Sequence, residues 1–106
     1  MALGAIEALK AAGYFTDESN YIPVLGVDAT KVGLQALEDG TMLATSLNNP
    51  VTMGKCIYKI LELLEAGEEI TSENLGYDID EHKRVWLDYV AITKDNLEDA
   101  DLSKYE

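Results

Sequence analysis

The stretch IPVLGVDATKVGLQALEDGTMLATSL, residues 22–47, decides the fold class. Its first six residues, IPVLGV, form a nearly continuous apolar run, the pattern of a strand covered on both faces, as in a parallel sheet. Pro23 fits at the start of such a strand. Residues 30–39 then carry a helical pattern through Val32, Ala36 and Leu37, and Gly40 is a suitable C-terminal cap. Residues 42–47 read as a second short strand. Strand, helix and strand in this order make a crossover, and a crossover makes its two strands parallel.

Outward from this unit the α/β alternation continues. Residues 1–12 place Leu3, Ile6 and Leu9 at helical spacing in alanine-rich sequence, with Gly13 as a stop. Residues 13–21 are polar and irregular. Asn49 and Pro50 are a cap and a first-turn proline. They open a helix whose apolar stripe runs through Met53, Ile57, Ile60 and Leu64 and which ends at Gly67. Residues 68–83 are acidic, with weak strand character around Leu75–Ile79. Residues 84–92 (RVWLDYVAI) carry the strongest strand pattern of the second half, and the acidic tail from Thr93 ends in a turn or short helix.

The composition excludes several classes of function. Twenty acidic against eight basic residues give the 106-residue chain a formal charge of -12. That charge repels phosphate backbones and anionic lipid, so no nucleic-acid partner is expected. The single cysteine, Cys56, has no partner for a disulfide and sits in an apolar helical pattern, which predicts a buried structural thiol. No apolar run approaches membrane-spanning length. The first residues lack the basic start and long apolar stretch of an export signal. No enzymatic constellation is present and no cofactor or metal is expected. His82 lies in a charge run, Asp78 and Asp80 lack the glycine and final glutamate of a calcium loop, Ser46 lacks a nucleophile elbow, and Trp86 lies in a strand pattern that predicts core packing.

Two polar residues stand at the strand ends. Asp28 directly follows strand 22–27 and Asn48 directly follows strand 42–47. Ligands of open parallel sheets bind beyond the carboxyl ends of the strands, where the crossover places these two residues side by side. A carboxylate accepting hydroxyl hydrogens, next to an amide that both accepts and donates, suits a neutral polyol. The competing structural reading makes Asp28 a helix cap and Asn48 a loop-shaping residue.

The segments MALGAIEAL, IPVLGVDA and LEDGTMLATSLNNP resemble three consecutive segments of the periplasmic galactose/glucose-binding proteins, and VWLDYVAITKDNL resembles their ending. In that family a Gly-Val-Asp strand end and a Leu-Asn strand end supply sugar-hydroxyl ligands, so the resemblance implies that Asp28 and Asn48 do so here. Thr93 stands where the family's tail has an aspartate, and residues 68–83 match poorly. The aromatic residues that sandwich the sugar, a further ligand asparagine and the calcium loop correspond to sequence before residue 1.

The resemblance implies a parallel-sheet, three-layer lobe of a type I periplasmic binding protein, incomplete, corresponding to the C-terminal third of such a protein. Residues 1–47 belong to the C-terminal lobe on this reading. Residues 48–84 form the hinge crossing and part of the N-terminal lobe, and residues 85–106 the return strand and tail. The implied function is monosaccharide binding for uptake through the membrane permease of an ABC importer, with the parent protein extracytoplasmic. The alternatives are the effector domain of a lactose-repressor-type regulator or a standalone α/β interaction protein. The helix 50–66 stripe would lack its partner lobe, so association of the chain with a second or swapped copy is expected.

Overall fold

A computed structural model describes residues Met1–Glu106. The backbone divides into two compact units: residues 1–48 with 89–101, and residues 49–88 with 102–106.

The first unit is built on a three-stranded sheet in the order β1 (Leu25–Val27), β2 (Ala44–Leu47), β3 (Val90–Thr93). β1 and β2 are parallel, as the crossover requires, with Leu25 beside Ala44 and Val27 beside Ser46. β3 runs antiparallel to β2, pairing Leu47 with Val90 and Ala44 with Thr93, so the sheet is mixed where sequence patterning pointed to a parallel one. The reason lies in the chain path. The backbone leaves β2 at Leu47, passes through the second unit, and re-enters beside its point of exit, so it must run back along β2.

Helix α1 (Ala2–Ala11) packs near β1 and α2 (Lys31–Glu38) near β2. Ile6, Leu37, Leu47 and Ile92 are the buried aliphatic residues of this unit, joined by Ala36 and Met42. Thr30 caps α2 by accepting from the N–H of Gly33 at 3.2 Å. Gly40, at φ +77°, reverses the chain after it, the left-handed conformation that glycine adopts without a Cβ penalty.

Three expectations for this region fail. Strand 22–27 is paired only from Leu25, because Pro23 has no N–H to donate; upstream the carbonyl of Val24 accepts one further bond from Leu43. Nor is β1 covered on both faces: Leu25 is 67 % and Val27 63 % exposed. In α2 the inward side chains are Ala36 and Leu37 beside Gly33, and Val32 faces solvent.

The second unit holds α3 (Pro50–Ala66), the short α4 (Ser72–Leu75) and a bridge between Ile79 and Val85. Asn49 caps α3 as expected, its Oδ1 accepting from the N–H groups of Val51 and Thr52 at 3.0 and 3.2 Å, with Pro50 in the first turn. Gly67 ends the helix in the left-handed conformation. The core here is Cys56, Leu63 and Leu75, against which Ile60, Ile70, Tyr77, Ile79, Val85 and Leu87 pack. The buried Cys56 thiol fits its expected structural role, and burial pushes its pKa up, away from the reactive thiolate.

Three of the four residues of the α3 stripe, expected to lack a partner lobe, are turned outward. Cys56 and Leu63 face the core and Ile60 flanks them, whereas Met53, Ile57 and Leu64 are 40 %, 53 % and 57 % exposed, with Leu61 beside them. Of the weak strand character around Leu75–Ile79 only the Ile79 bridge is present; Leu75 closes α4, which Thr71 caps through the N–H of Asn74. The pattern at 84–89 does alternate, Val85 and Leu87 inward and Trp86 and Asp88 outward, but its backbone joins no ladder beyond one bridge. Periodicity reports which side is buried; it does not supply a neighbouring strand.

Removing the Asn49 cap tests this account of α3. Asn49→Ala is expected to cost about 1 kcal/mol, the usual value for a lost N-cap. Asn49 Nδ2 is buried without a partner, so the variant also deletes an unsatisfied donor and should fall at the low end of the capping range. Urea denaturation measures it, and a loss well above 2 kcal/mol would show that Asn49 does more than cap.

Candidate functional site

The parallel register puts Asp28 across from Leu47 and Asn48 one residue farther along β2, so both lie at the carboxyl edge of the β1–β2 pair. Asp28 does not cap α2; Thr30 does. The bonds of the turn leave the Asp28 carboxylate open, while its backbone N–H donates to the Ser46 carbonyl at 2.7 Å. The side chain lines a cleft of about 360 Å³ bounded by the first residues of α1, by Leu25 to Asp28, and by Thr30, Met42 and Thr45. Asn48 is half-buried and is not among the residues lining that cleft. It stands at the last position of the first unit's leading segment, where the chain crosses into the second.

The turn after β1 is unusual in its backbone. Asp28 and Ala29 are consecutive non-glycine residues at positive φ, +80° and +45°. Each such residue carries roughly 1–2 kcal/mol of local strain, which persists only where surrounding structure holds it. Here β2 does so. Thr45, 4 % exposed, turns its hydroxyl toward the turn and accepts from the N–H of Ala29 at 3.3 Å. Gly26 makes the close approach possible, since a Cβ there would stand 2.9 Å from the Met42 sulfur. Sequence reasoning passes over Thr45 because threonine is an ordinary strand former; nothing in the pattern marks its hydroxyl as a partner of the turn.

No group of three or more His, Cys, Asp or Glu side chains is placed to hold a metal ion. An open carboxylate and an amide at a sheet edge can accept from hydroxyl groups, and the amide can also donate to them.

A family model described as a periplasmic binding protein domain matches residues 1–69, a span that contains α1, the β1–α2–β2 crossover, both strand-end residues and α3. The chain belongs to this family. The D-galactose/methyl-galactoside binding periplasmic protein MglB of Haemophilus influenzae is 36 % identical over 99 residues, covering 93 % of this chain and 28 % of that protein. The xylitol-binding protein of Mycolicibacterium smegmatis is 31 % identical over 102 residues, covering 94 % of this chain and 24 % of that protein. The chain thus spans about a quarter of the length of these family members. Their names are those of binding proteins, not enzymes. The mixed α/β architecture with its parallel pair is that of a partial periplasmic binding protein fold.

The remaining polar candidates are peripheral. The His82 ring is exposed and lies 3.5 Å from Glu81, as its place in a charge run predicts. Trp86 corrects the core expectation, being 66 % exposed. Its indole N–H donates to Asp80 Oδ2 at 3.0 Å, and the Arg84 guanidinium lies 5.2 Å from its ring centre. Asp80 organises this loop. It accepts from the backbone N–H groups of His82 and Arg84, from Arg84 Nε and from Trp86. The Arg84 N–H foremost, then the indole, the guanidinium and the His82 N–H, hold its carboxyl below the ordinary 3.8 against an opposing effect of burial.

A depressed carboxyl pKa contributes stability that is complete above the unfolded value and lost as pH falls below it. The loop should therefore hold Trp86 fixed at neutral pH and release it as pH falls through the lowered Asp80 value, which lies below the ordinary 3.8. Fluorescence of this single tryptophan reads the change, and Asp80→Ala should show the released signal already at pH 7. An unchanged neutral-pH spectrum in that variant would show that the bonds to Asp80 do not hold the ring.

Proposed function

We propose that this chain is the hydroxyl-binding segment of a longer periplasmic binding protein that captures a galactose- or glucose-type monosaccharide outside the cytoplasm and delivers it to the permease of an ABC importer. Asp28 and Asn48 are the ligand residues. Asp28 accepts from ligand hydroxyls and Asn48 both accepts and donates. What supports this reading is the register, which sets both residues at the carboxyl edge of the parallel pair, with no hydrogen bond on the Asp28 carboxylate and Asp28 among the residues lining a cleft. The names of the relatives, a galactoside binder and a xylitol binder, share one chemistry, a neutral chain of neighbouring hydroxyls, and that is what this pair of side chains suits.

On this reading residues 1–48 with β3 form part of one lobe and α3 belongs to the other, with ligand held by hinge closure between complete lobes. The 106-residue chain should then bind glucose or galactose weakly or undetectably, because it lacks the enclosure that excludes water around a bound sugar. Calorimetry on the isolated chain tests this, and micromolar binding by it alone would overturn the reading of it as one segment of a larger site. The open α3 stripe favours self-association of the isolated chain with a second copy. Ultracentrifugation tests that separately: a monomer at all concentrations would remove it.

A further inference from the structure

We infer that Thr45 is a positioning residue for the ligand carboxylate, acting by fixing the left-handed turn that carries Asp28. The inference rests on Asp28 being a ligand residue, as proposed above, but its structural part stands on the turn alone. Two consecutive non-glycine residues at positive φ do not hold themselves. The Asp28 N–H is tied to Ser46 by the strand pairing, which aligns the end of β1 but leaves the next peptide unit free. That unit is held by one side-chain bond, from the Ala29 N–H to Thr45 Oγ1. Thr45 comes from β2, is buried, and is paired across the sheet with the fully buried Ile92. Its hydroxyl is therefore placed by the rigid centre of the sheet, not by the turn it holds. Without that acceptor the Ala29 N–H would seek another partner. Both residues would then relax toward negative φ, and the Asp28 side chain would swing away from the cleft.

The neighbouring positions are consistent with this role. A Cβ on Gly26 would stand 3.3 Å from the Thr45 hydroxyl and 2.9 Å from the Met42 sulfur, so the glycine leaves the hydroxyl uncrowded beside the turn. The carbon skeleton of Thr45 fills core space that valine would fill equally well, which separates its packing role from its bonding role.

The test uses nuclear magnetic resonance on the 106-residue chain. In the unaltered chain the Ala29 amide should be protected from exchange, and Cα and Cβ shifts of Asp28 and Ala29 should report positive φ; an unprotected Ala29 amide would overturn the inference without any variant. In Thr45→Val the Ala29 amide should exchange about fivefold faster or more, the scale of one lost net hydrogen bond. The shifts of Asp28 and Ala29 should move while those of Leu47 and Ile92 stay. Thr45→Ser, which keeps the hydroxyl, should restore both readouts. Ala29→Gly in the Thr45→Val background should restore the Asp28 shifts but not the protection of the residue-29 amide, since glycine adopts positive φ unaided while the acceptor is still missing. A turn unchanged in Thr45→Val overturns the inference whatever the sugar result. Titration with up to about 100 mM galactose then addresses the underlying reading, because millimolar contact remains visible where calorimetry fails. If Asp28→Ala leaves sugar binding by the longer protein unchanged while the turn depends on Thr45, it is the ligand assignment that falls. If Asp28 responds in the unaltered and Thr45→Ser chains and about fivefold less strongly in Thr45→Val, both stand.

Discussion

Asp28→Ala, introduced into the longer protein proposed above, is expected to weaken monosaccharide binding by about a hundredfold or more. Each hydrogen bond to a charged group contributes about 1.5–3 kcal/mol, and 1.4 kcal/mol is a factor of ten in affinity. A carboxylate that accepts two hydroxyls therefore accounts for at least two powers of ten, and the loss is compounded because the sugar hydroxyls would be desolvated without an acceptor. Asp28→Asn keeps one acceptor oxygen and should fall between the two. Asp28→Gly separates binding from folding. Its backbone adopts φ +80° without strain, so the protein should be as stable as the original or more so while binding is lost. Calorimetric titration with galactose and glucose reads all three. A change of less than about threefold in Asp28→Ala would remove Asp28 from the site, since even one net hydrogen bond contributes more.

Leu63→Ala and Leu64→Ala should differ sharply although the residues are neighbours in one helix. Leu63 is 4 % exposed and stands with Cys56 and Leu75 at the centre of a small core. Truncating such a leucine costs about 2–5 kcal/mol, a large share of the roughly 5–15 kcal/mol by which whole domains are stable. The second unit should lose its cooperative transition. Leu64, 57 % exposed, should cost no more than about 0.5 kcal/mol in an unassociated chain, as for other surface substitutions. Association would alter this in a recognisable way. If α3 is covered by a second copy, the cost of Leu64→Ala should grow with protein concentration, because partner binding contributes to apparent stability by mass action. Thermal denaturation across a wide concentration range reads both effects. Equal costs for the two variants at low concentration would contradict the orientation of α3.

Much of the local structure was legible in the sequence because it is set by neighbours along the chain. Asn49, Pro50 and Gly67 fixed both ends of α3, since caps and breakers act through bonds to residues two to four positions away. The crossover at 22–47 required a parallel pair, and with it the placement of Asp28 and Asn48 at one edge. The resemblance of three ordered motifs sufficed to name the family. What depended on distant segments was not legible. The apolar character of α3 was visible, but which side of the helix met the core was set by Leu75 and the 77–87 segment, and that choice turned Met53, Ile57 and Leu64 outward. Trp86 looked like a core residue by its neighbours, yet Asp80 and Arg84 hold it at the surface. The antiparallel entry of β3 followed from where the chain returned to the sheet. The two left-handed residues at the candidate site are held by a hydroxyl sixteen positions away, on another strand. A bond of that kind is made by the sheet that brings its partners together, so only the tertiary structure could decide it.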